Sequence, residues 1–155
     1  MYFKSYKVDE FISELADDIS APGCGSVTAL VAALSSALNS MVYSFTIDKE
    51  SFKILDKAKK SRMVQLAEES KSFIQGFIAY MEKDREVFTN LMDCYKLPKN
   101  SDEDKKIRSE KILENTILAM KVPLELAEKA IEFYDNIEFA IKYGNENLVS
   151  DGVAA

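Results

Sequence analysis

A chain of 155 residues with a net charge of −6 is the size of one ordinary domain and lacks the basic excess that nucleic-acid binding requires. It has no histidine and no tryptophan, which excludes histidine-dependent hydrolase triads and histidine-ligated zinc sites. An acid or base working near neutral pH must then be a carboxylate, lysine, cysteine or tyrosine.

Abundant Ala, Leu, Lys, Glu and Met, with only three prolines and five glycines, predict an all-α protein: a multihelical bundle with long antiparallel helices, residues 1–155 forming one domain. No charged-then-apolar leader opens the chain. Residues 8–19 read as a short amphipathic helix with Phe11, Ile12, Leu15, Ala16 and Ile19 on one side. The segment Ser20-Ala21-Pro22-Gly23-Cys24-Gly25-Ser26 breaks the backbone, because glycine and proline take tight conformations that other residues resist. Ser26 is then expected to cap a helix over about Val27–Ile47, whose unpaired first N–H groups suit an anion or a carboxylate. That helix is the most apolar stretch, but Thr28, Ser35, Ser36, Asn39, Ser40 and Ser44 interrupt it. A bilayer leaves such groups without partners, so a buried core helix is expected and no membrane contact. Ala29, Ala33 and Ala37 recur at the four-residue spacing that allows close helix packing.

From about Ser51 to Asp93 the pattern predicts one long helix, loosened at Gly76. Lys57, Lys59, Lys60 and Arg62, followed by Glu68 and Glu69, read as its solvated face. Phe73, Phe77, Tyr80, Asp84, Phe88, Leu91 and Tyr95 share another face. Residues 96–100 turn the chain, and Ser101 with Asp104 resembles a capping box. The next helix carries Ile107, Leu113, Ile117, Met120, Leu124, Ala127, Ile131 and Tyr134 along a stripe, with Pro123 expected to kink or restart it. A short turn between two long helices makes an antiparallel hairpin. Gly144 and Asn145 end the helical signal. Ser150 or Asp151 is expected to cap a last helix at Gly152, a remnant so short that the sequence reads as cut within an element. Cys24 and Cys94 form neither a ligand cluster nor a disulfide framework, which suits a reducing cytoplasm. Apolar stripes this long also predict burial against a partner, a homodimer.

Asp84 is the outlier among these residues. Its neighbours on the stripe are Phe77, Tyr80, Met81, Phe88 and Leu91, and an unpaired ionised carboxylate in that company is costly enough to protonate or recruit a partner. It is a candidate for proton transfer or for stabilising a cationic substrate; an ion pair or a cap on another helix is the plainer alternative. Tyr80 and Phe88 flank it by one turn each way and could stack a flat heterocycle, although two aromatics on a stripe also suit a core. Lys83 points off the stripe, toward solvent. Gly144-Asn145-Glu146-Asn147-Leu148-Val149-Ser150-Asp151-Gly152 is rich in the short polar side chains that build either turns or sites.

The chain resembles the cyclodeaminase/cyclohydrolase family of folate enzymes. The resemblance runs through Pro22-Gly23-Cys24-Gly25-Ser26, Met41-Val42 with Thr46-Ile47, Asp84 with Phe88, Lys96-Leu97-Pro98, Val122-Pro123-Leu124-Glu125, and Gly144-Asn145-Glu146-Asn147 with Ser150-Asp151. Cys24 stands where the family commonly has a third glycine, the Ser150-Asp151 stretch is one residue short, and the family's last helices are absent. The resemblance implies cyclodeamination of 5-formiminotetrahydrofolate or hydrolysis of 5,10-methenyltetrahydrofolate, with the folate as substrate and no metal or other cofactor. It implies Asp84 and Asp151 as catalytic residues. Pro22, Gly23, Gly25, Ser26, Tyr80, Phe88, Asn147 and Ser150 would bind the substrate, the turn taking a polar or anionic part of it. A folate binder without activity, or a helical oligomerisation protein, are the competing readings.

Overall fold

A computed structural model describes residues 2–18 and 21–155, all helix and connecting turns with no strand among them. After a 3-10 turn at Phe3–Ser5 come α1 (Val8–Ala16), α2 (Cys24–Ser44), α3 (Glu50–Lys53), α4 (Lys57–Tyr95) and α5 (Asp102–Tyr143); a 3-10 turn at Glu146–Leu148 leads into α6 (Val149–Ala154). The chain divides into two compact units, Met1–Ala29 with Ile78–Ala127, and Leu30–Phe77 with Glu128–Ala155.

In the first unit, α4 and α5 run antiparallel. Arg108 near the start of α5 donates to the Tyr95 carbonyl at the end of α4 (3.3 Å), and Lys83 meets Glu125 at 2.6 Å. The expected capping box starts α5. The Asp104 N–H donates to Ser101 Oγ and the Ser101 N–H to Asp104 Oδ2, both at 3.0 Å. Bonds from the Ser101 side chain and then its backbone hold the Asp104 carboxyl below its ordinary range. The core gathers Phe3, Phe11, Met81, Leu91, Val122 and Leu126, the Phe3 and Phe11 rings meeting edge to face at 5.6 Å. In α1 only Phe11 is buried; Ile12, Leu15 and Ala16 are exposed, and Ile19 lies outside the described residues.

In the second unit, Val42, Tyr43, Met63, Leu66, Ala67 and Ala140 form the core, with Phe139, Tyr143 and Leu148 packed against it. Asn39, one of the polar residues that interrupt α2, finds partners for its amide nitrogen here. Asn39 Nδ2 donates to Asn136 Oδ1 (2.5 Å) and Ser70 Oγ (3.2 Å), Asn136 Nδ2 to the Leu66 carbonyl (3.0 Å), and the Tyr43 hydroxyl to the Asn136 carbonyl (2.7 Å). Buried amides joined in this way fix one register of α2, α4 and α5, since a slip would strand each of them. Burial also pushes the Tyr43 phenol well above its ordinary pKa. By length and composition α2 could cross a bilayer. Its buried residues include Ser26, Ser36 and Asn39, each hydrogen-bonded within the protein, as buried polar groups of a core helix are.

Several boundaries differ from the sequence-based expectation, α1 ending at Ala16 and α2 at Ser44, each about three residues before the expected stop. Helix α2 starts at Cys24, the Gly23 carbonyl accepting the Val27 N–H at 3.0 Å, so Ser26 sits inside the first turn and is not its cap. The long helix expected from Ser51 is broken at residues 54–56. There Asp56 Oδ1 accepts the Lys59 N–H at 2.9 Å and restarts the helix as an N-cap. Helix α5 is continuous through Pro123. Helix α6 begins at Val149, placing Ser150 and Asp151 within it, not before it. The stripe of α5 is corrected as well. Leu113, Met120, Leu124, Ile131 and Tyr134 are each more than 60 % exposed, while Val122, Leu126, Phe133, Asn136 and Ala140 form the buried face. A helix of 42 residues carries two apolar stripes, and periodicity does not say which one meets a neighbour.

Helix α4 also runs unbroken through Gly76, where an added Cβ would meet nothing within 4 Å. A glycine in a helix interior costs about 1 kcal/mol relative to alanine. Gly76→Ala is therefore expected to raise Tm by roughly 2–4 °C, read by thermal unfolding; a lower Tm would contradict the open space seen there.

Candidate active site

The site expected from sequence begins at the Pro22–Ser26 bend, and in the first unit α4 brings Asp84 directly onto it. Gly25 lies so close that a Cβ built on it would stand 2.0 Å from Asp84 Oδ1 and 2.8 Å from Oδ2. Only a residue without a side chain admits the carboxylate there. Ser26 is fully buried, and its Oγ lies 2.8 Å from Asp84 Oδ2 and 3.4 Å from the Met81 carbonyl. A hydroxyl has one proton to give, and the shorter, charge-assisted bond to the carboxylate takes it. The first turn of α2 adds its partial positive charge beside the carboxylate. The turn's affinity for an anion is thus met by the protein's own Asp84, through Ser26.

A cleft of about 190 Å³ opens beside this pair, lined by Ala21, Gly23, Cys24, Gly25, Asp84, Arg85 and Phe88. Phe88, one helical turn beyond Asp84, supplies an apolar wall. Gly23, Gly25, Asp84 and Phe88 are therefore brought together as the sequence suggests. Pro22 is buried behind the bend, and Tyr80 does not line the cleft; its ring instead carries Lys83 Nζ at 5.7 Å from the centroid. Three lining residues, Ala21, Cys24 and Arg85, escaped the sequence reading. Cys24 lines the cleft as the first residue of α2 because the helix starts earlier than expected. Arg85 follows Asp84 in sequence, where a charged residue on a long helix reads as surface.

The remaining expected residues belong to the second unit. Asn145 caps the 3-10 turn there, its Oδ1 accepting the Asn147 N–H at 3.0 Å, while its own N–H donates to Thr46 Oγ1 at 2.8 Å. Asn147 is exposed and lines a separate, open depression of about 770 Å³ together with Phe45, Asp48, Tyr143 and Asn145. Ser150 is exposed and Asp151 half-buried on α6. Gly144 is obligatory at its bend, since a Cβ would stand 2.4 Å from the Ala140 carbonyl oxygen and 2.8 Å from Val42 Cγ1.

The all-α architecture is that of a known enzyme fold: the structure superposes on formiminotetrahydrofolate cyclodeaminase from Thermotoga maritima with a TM-score of 0.80 and 24 % identity, over 97 % of this chain and 69 % of that one. The sequence profile described as formiminotransferase-cyclodeaminase matches residues 7–155. The chain is 34 % identical over 148 residues to a methenyltetrahydrofolate cyclohydrolase of Methylorubrum extorquens, covering 95 % of this chain and 69 % of that protein. It is 33 % identical over 141 residues to the formimidoyltransferase-cyclodeaminase of Mus musculus, of which it spans only 25 %. The chain belongs to the formiminotransferase-cyclodeaminase family.

Proposed function

We propose that this chain is an enzyme of folate one-carbon metabolism that carries out cyclodeamination of 5-formiminotetrahydrofolate or hydrolysis of 5,10-methenyltetrahydrofolate. The observation that carries the reading is the Asp84 carboxylate, held by Ser26 against Gly25 at the wall of a cleft with an aromatic side. In cyclodeamination N10 attacks the formimino carbon, a tetrahedral centre forms, and the carbon–nitrogen bond to the leaving ammonia breaks. In hydrolysis, water adds to the cationic methenyl carbon and a ring carbon–nitrogen bond opens. Both need a proton moved at a centre bearing positive charge, which a fixed carboxylate supplies by general acid–base catalysis and by electrostatics. Phe88 offers its face to a flat heterocycle. Asp151 and Asn147 stand as candidates for a second acid and a polar contact.

Absorbance of the methenyl chromophore tests the reading directly, because one reaction produces that species and the other consumes it. Turnover of either folate by the purified chain supports the proposal; binding of both without turnover would sink it in favour of a folate-binding protein.

The chain is further proposed to work as a homodimer. Leu113, Ile117, Met120 and Leu124 recur on one exposed side of α5 within the first unit, with exposures of 64, 47, 67 and 61 %, and a contiguous apolar strip of that kind favours a self-complementary contact. Sedimentation is expected to give twice the chain mass of 17.5 kDa. Ile117→Lys combined with Leu124→Lys should shift the protein to monomer. A native chain that sediments as a monomer would contradict the assignment.

A further inference from the structure

The cleft beside Asp84 contains a second charge that the proposed chemistry leaves unused. Its lining holds one acid and one base, Asp84 and Arg85. Successive residues of a helix diverge around its axis, so the two side chains leave α4 in different directions. Asp84 goes to the α2 turn. Arg85 goes to the N-terminal segment, where its guanidinium carbon lies 5.6 Å from the Tyr2 ring centroid and 5.7 Å from that of Phe3. Glu82 holds it from one edge only, with Arg85 Nε 3.3 Å from Glu82 Oε2. Glu82 is itself fixed, since its Oε1 accepts the Lys4 N–H at 2.7 Å. Among the described residues nothing accepts a hydrogen bond from the two Nη groups of Arg85.

These contacts describe a preorganised cation. The aromatic rings and Glu82 restrict the guanidinium, while the Nη edge, the pair of donors that matches a carboxylate in a planar fork, stays available. An anion entering the cleft finds Ser26 already committed to Asp84, so the bend does not offer its hydroxyl to a second negative group. Arg85 is the remaining positive charge in the lining.

We infer that Arg85 is the anion-binding end of this cleft and takes a carboxylate of the substrate through its Nη groups. The inference rests on the proposed folate function and deepens it. A folate is two-ended, with the reacting one-carbon centre on the pteridine side and the carboxylates of its glutamyl group at the other end. Asp84 would face the first and Arg85 the second. The pair would thereby set the direction in which the substrate lies, and Arg85 is a specificity-determining residue for folates that carry a free glutamyl carboxylate.

The test uses the full chain and two compounds, whichever of 5,10-methenyltetrahydrofolate and 5-formiminotetrahydrofolate it turns over and the same molecule with both glutamyl carboxylates masked as methylamides. Loss of one charge-assisted hydrogen bond is expected to lower kcat/KM of the native chain about tenfold on the masked compound. Arg85→Gln should turn over both compounds with equal efficiency, having lost the group that reads the carboxylate, and Arg85→Lys should restore part of the preference. Equal efficiency of the native chain on the two compounds would overturn the inference and leave the folate enzyme standing. So would a native-like preference in Arg85→Gln. Absence of turnover of both 5,10-methenyltetrahydrofolate and 5-formiminotetrahydrofolate by the native chain would overturn the folate reading itself, and this inference with it. The native comparison decides the matter even where a variant folds poorly.

Discussion

Asp84→Asn is expected to lower turnover of either folate by about two orders of magnitude or more, the scale of a lost general acid–base. The substitution is close to isosteric and keeps an oxygen that can accept the Ser26 hydroxyl, now 2.8 Å from Asp84 Oδ2. It removes the charge and the capacity to give or take a proton. The half-buried position on α4 and the contact with the bend survive, so thermal unfolding should change little while kcat collapses. Stopped-flow absorbance of the methenyl species, with a thermal melt on the same preparation, separates the two effects. Normal kcat in the variant would remove Asp84 from the mechanism and return it to the role of a structural partner for Ser26.

The second large effect comes from a residue that carries no chemistry. Helix propensity favours Gly25→Ala by about 1 kcal/mol, because the position lies in the first turn of α2. The tertiary contact opposes it. A methyl group at 2.0 Å from Asp84 Oδ1 and 2.5 Å from Cγ cannot coexist with the present carboxylate position. The carboxylate must swing away and give up the Ser26 bond, a charge-assisted contact of about 1.5–3 kcal/mol. We expect activity to fall about a hundredfold, the scale of a misplaced reacting group, with no gain in Tm. Gly76→Ala is the internal contrast. Its Cβ would find open space, so the same substitution shows its propensity gain there and nothing else. Equal gains in Tm at both positions, with activity kept, would show that Asp84 does not need its place against Gly25.

Much of the architecture was readable from local chemistry. The break at Pro22-Gly23, the Ser101–Asp104 box and the stop at Gly144 all stand where residue type alone puts them, because caps and bends are decided by groups only a few positions apart. Asp56 was a missed signal of the same local sort: a short acid three residues before Lys59, enough to interrupt the helix expected from Ser51 and restart it. Asp84 was conspicuous because a charge among Phe77, Met81 and Leu91 violates the pattern around it. Arg85 was invisible for the opposite reason. A basic residue in the charged run Glu82–Glu86 violates nothing, and only the rings of Tyr2 and Phe3 and the single-edged grip of Glu82 distinguish it.

The sequence by itself determined that the chain is helical, where α5 starts and stops, that proton chemistry must proceed without histidine, and which carboxylate was out of place. Those are consequences of backbone freedom and side-chain type within a few residues. The tertiary structure alone decided which stripe of α5 is buried, that Ser26 serves Asp84 instead of capping α2, and that Gly25 is a glycine because a carboxylate 59 positions further along occupies the space of its side chain. Periodicity identifies faces but not their partners, and partners are set by packing between segments far apart in the chain.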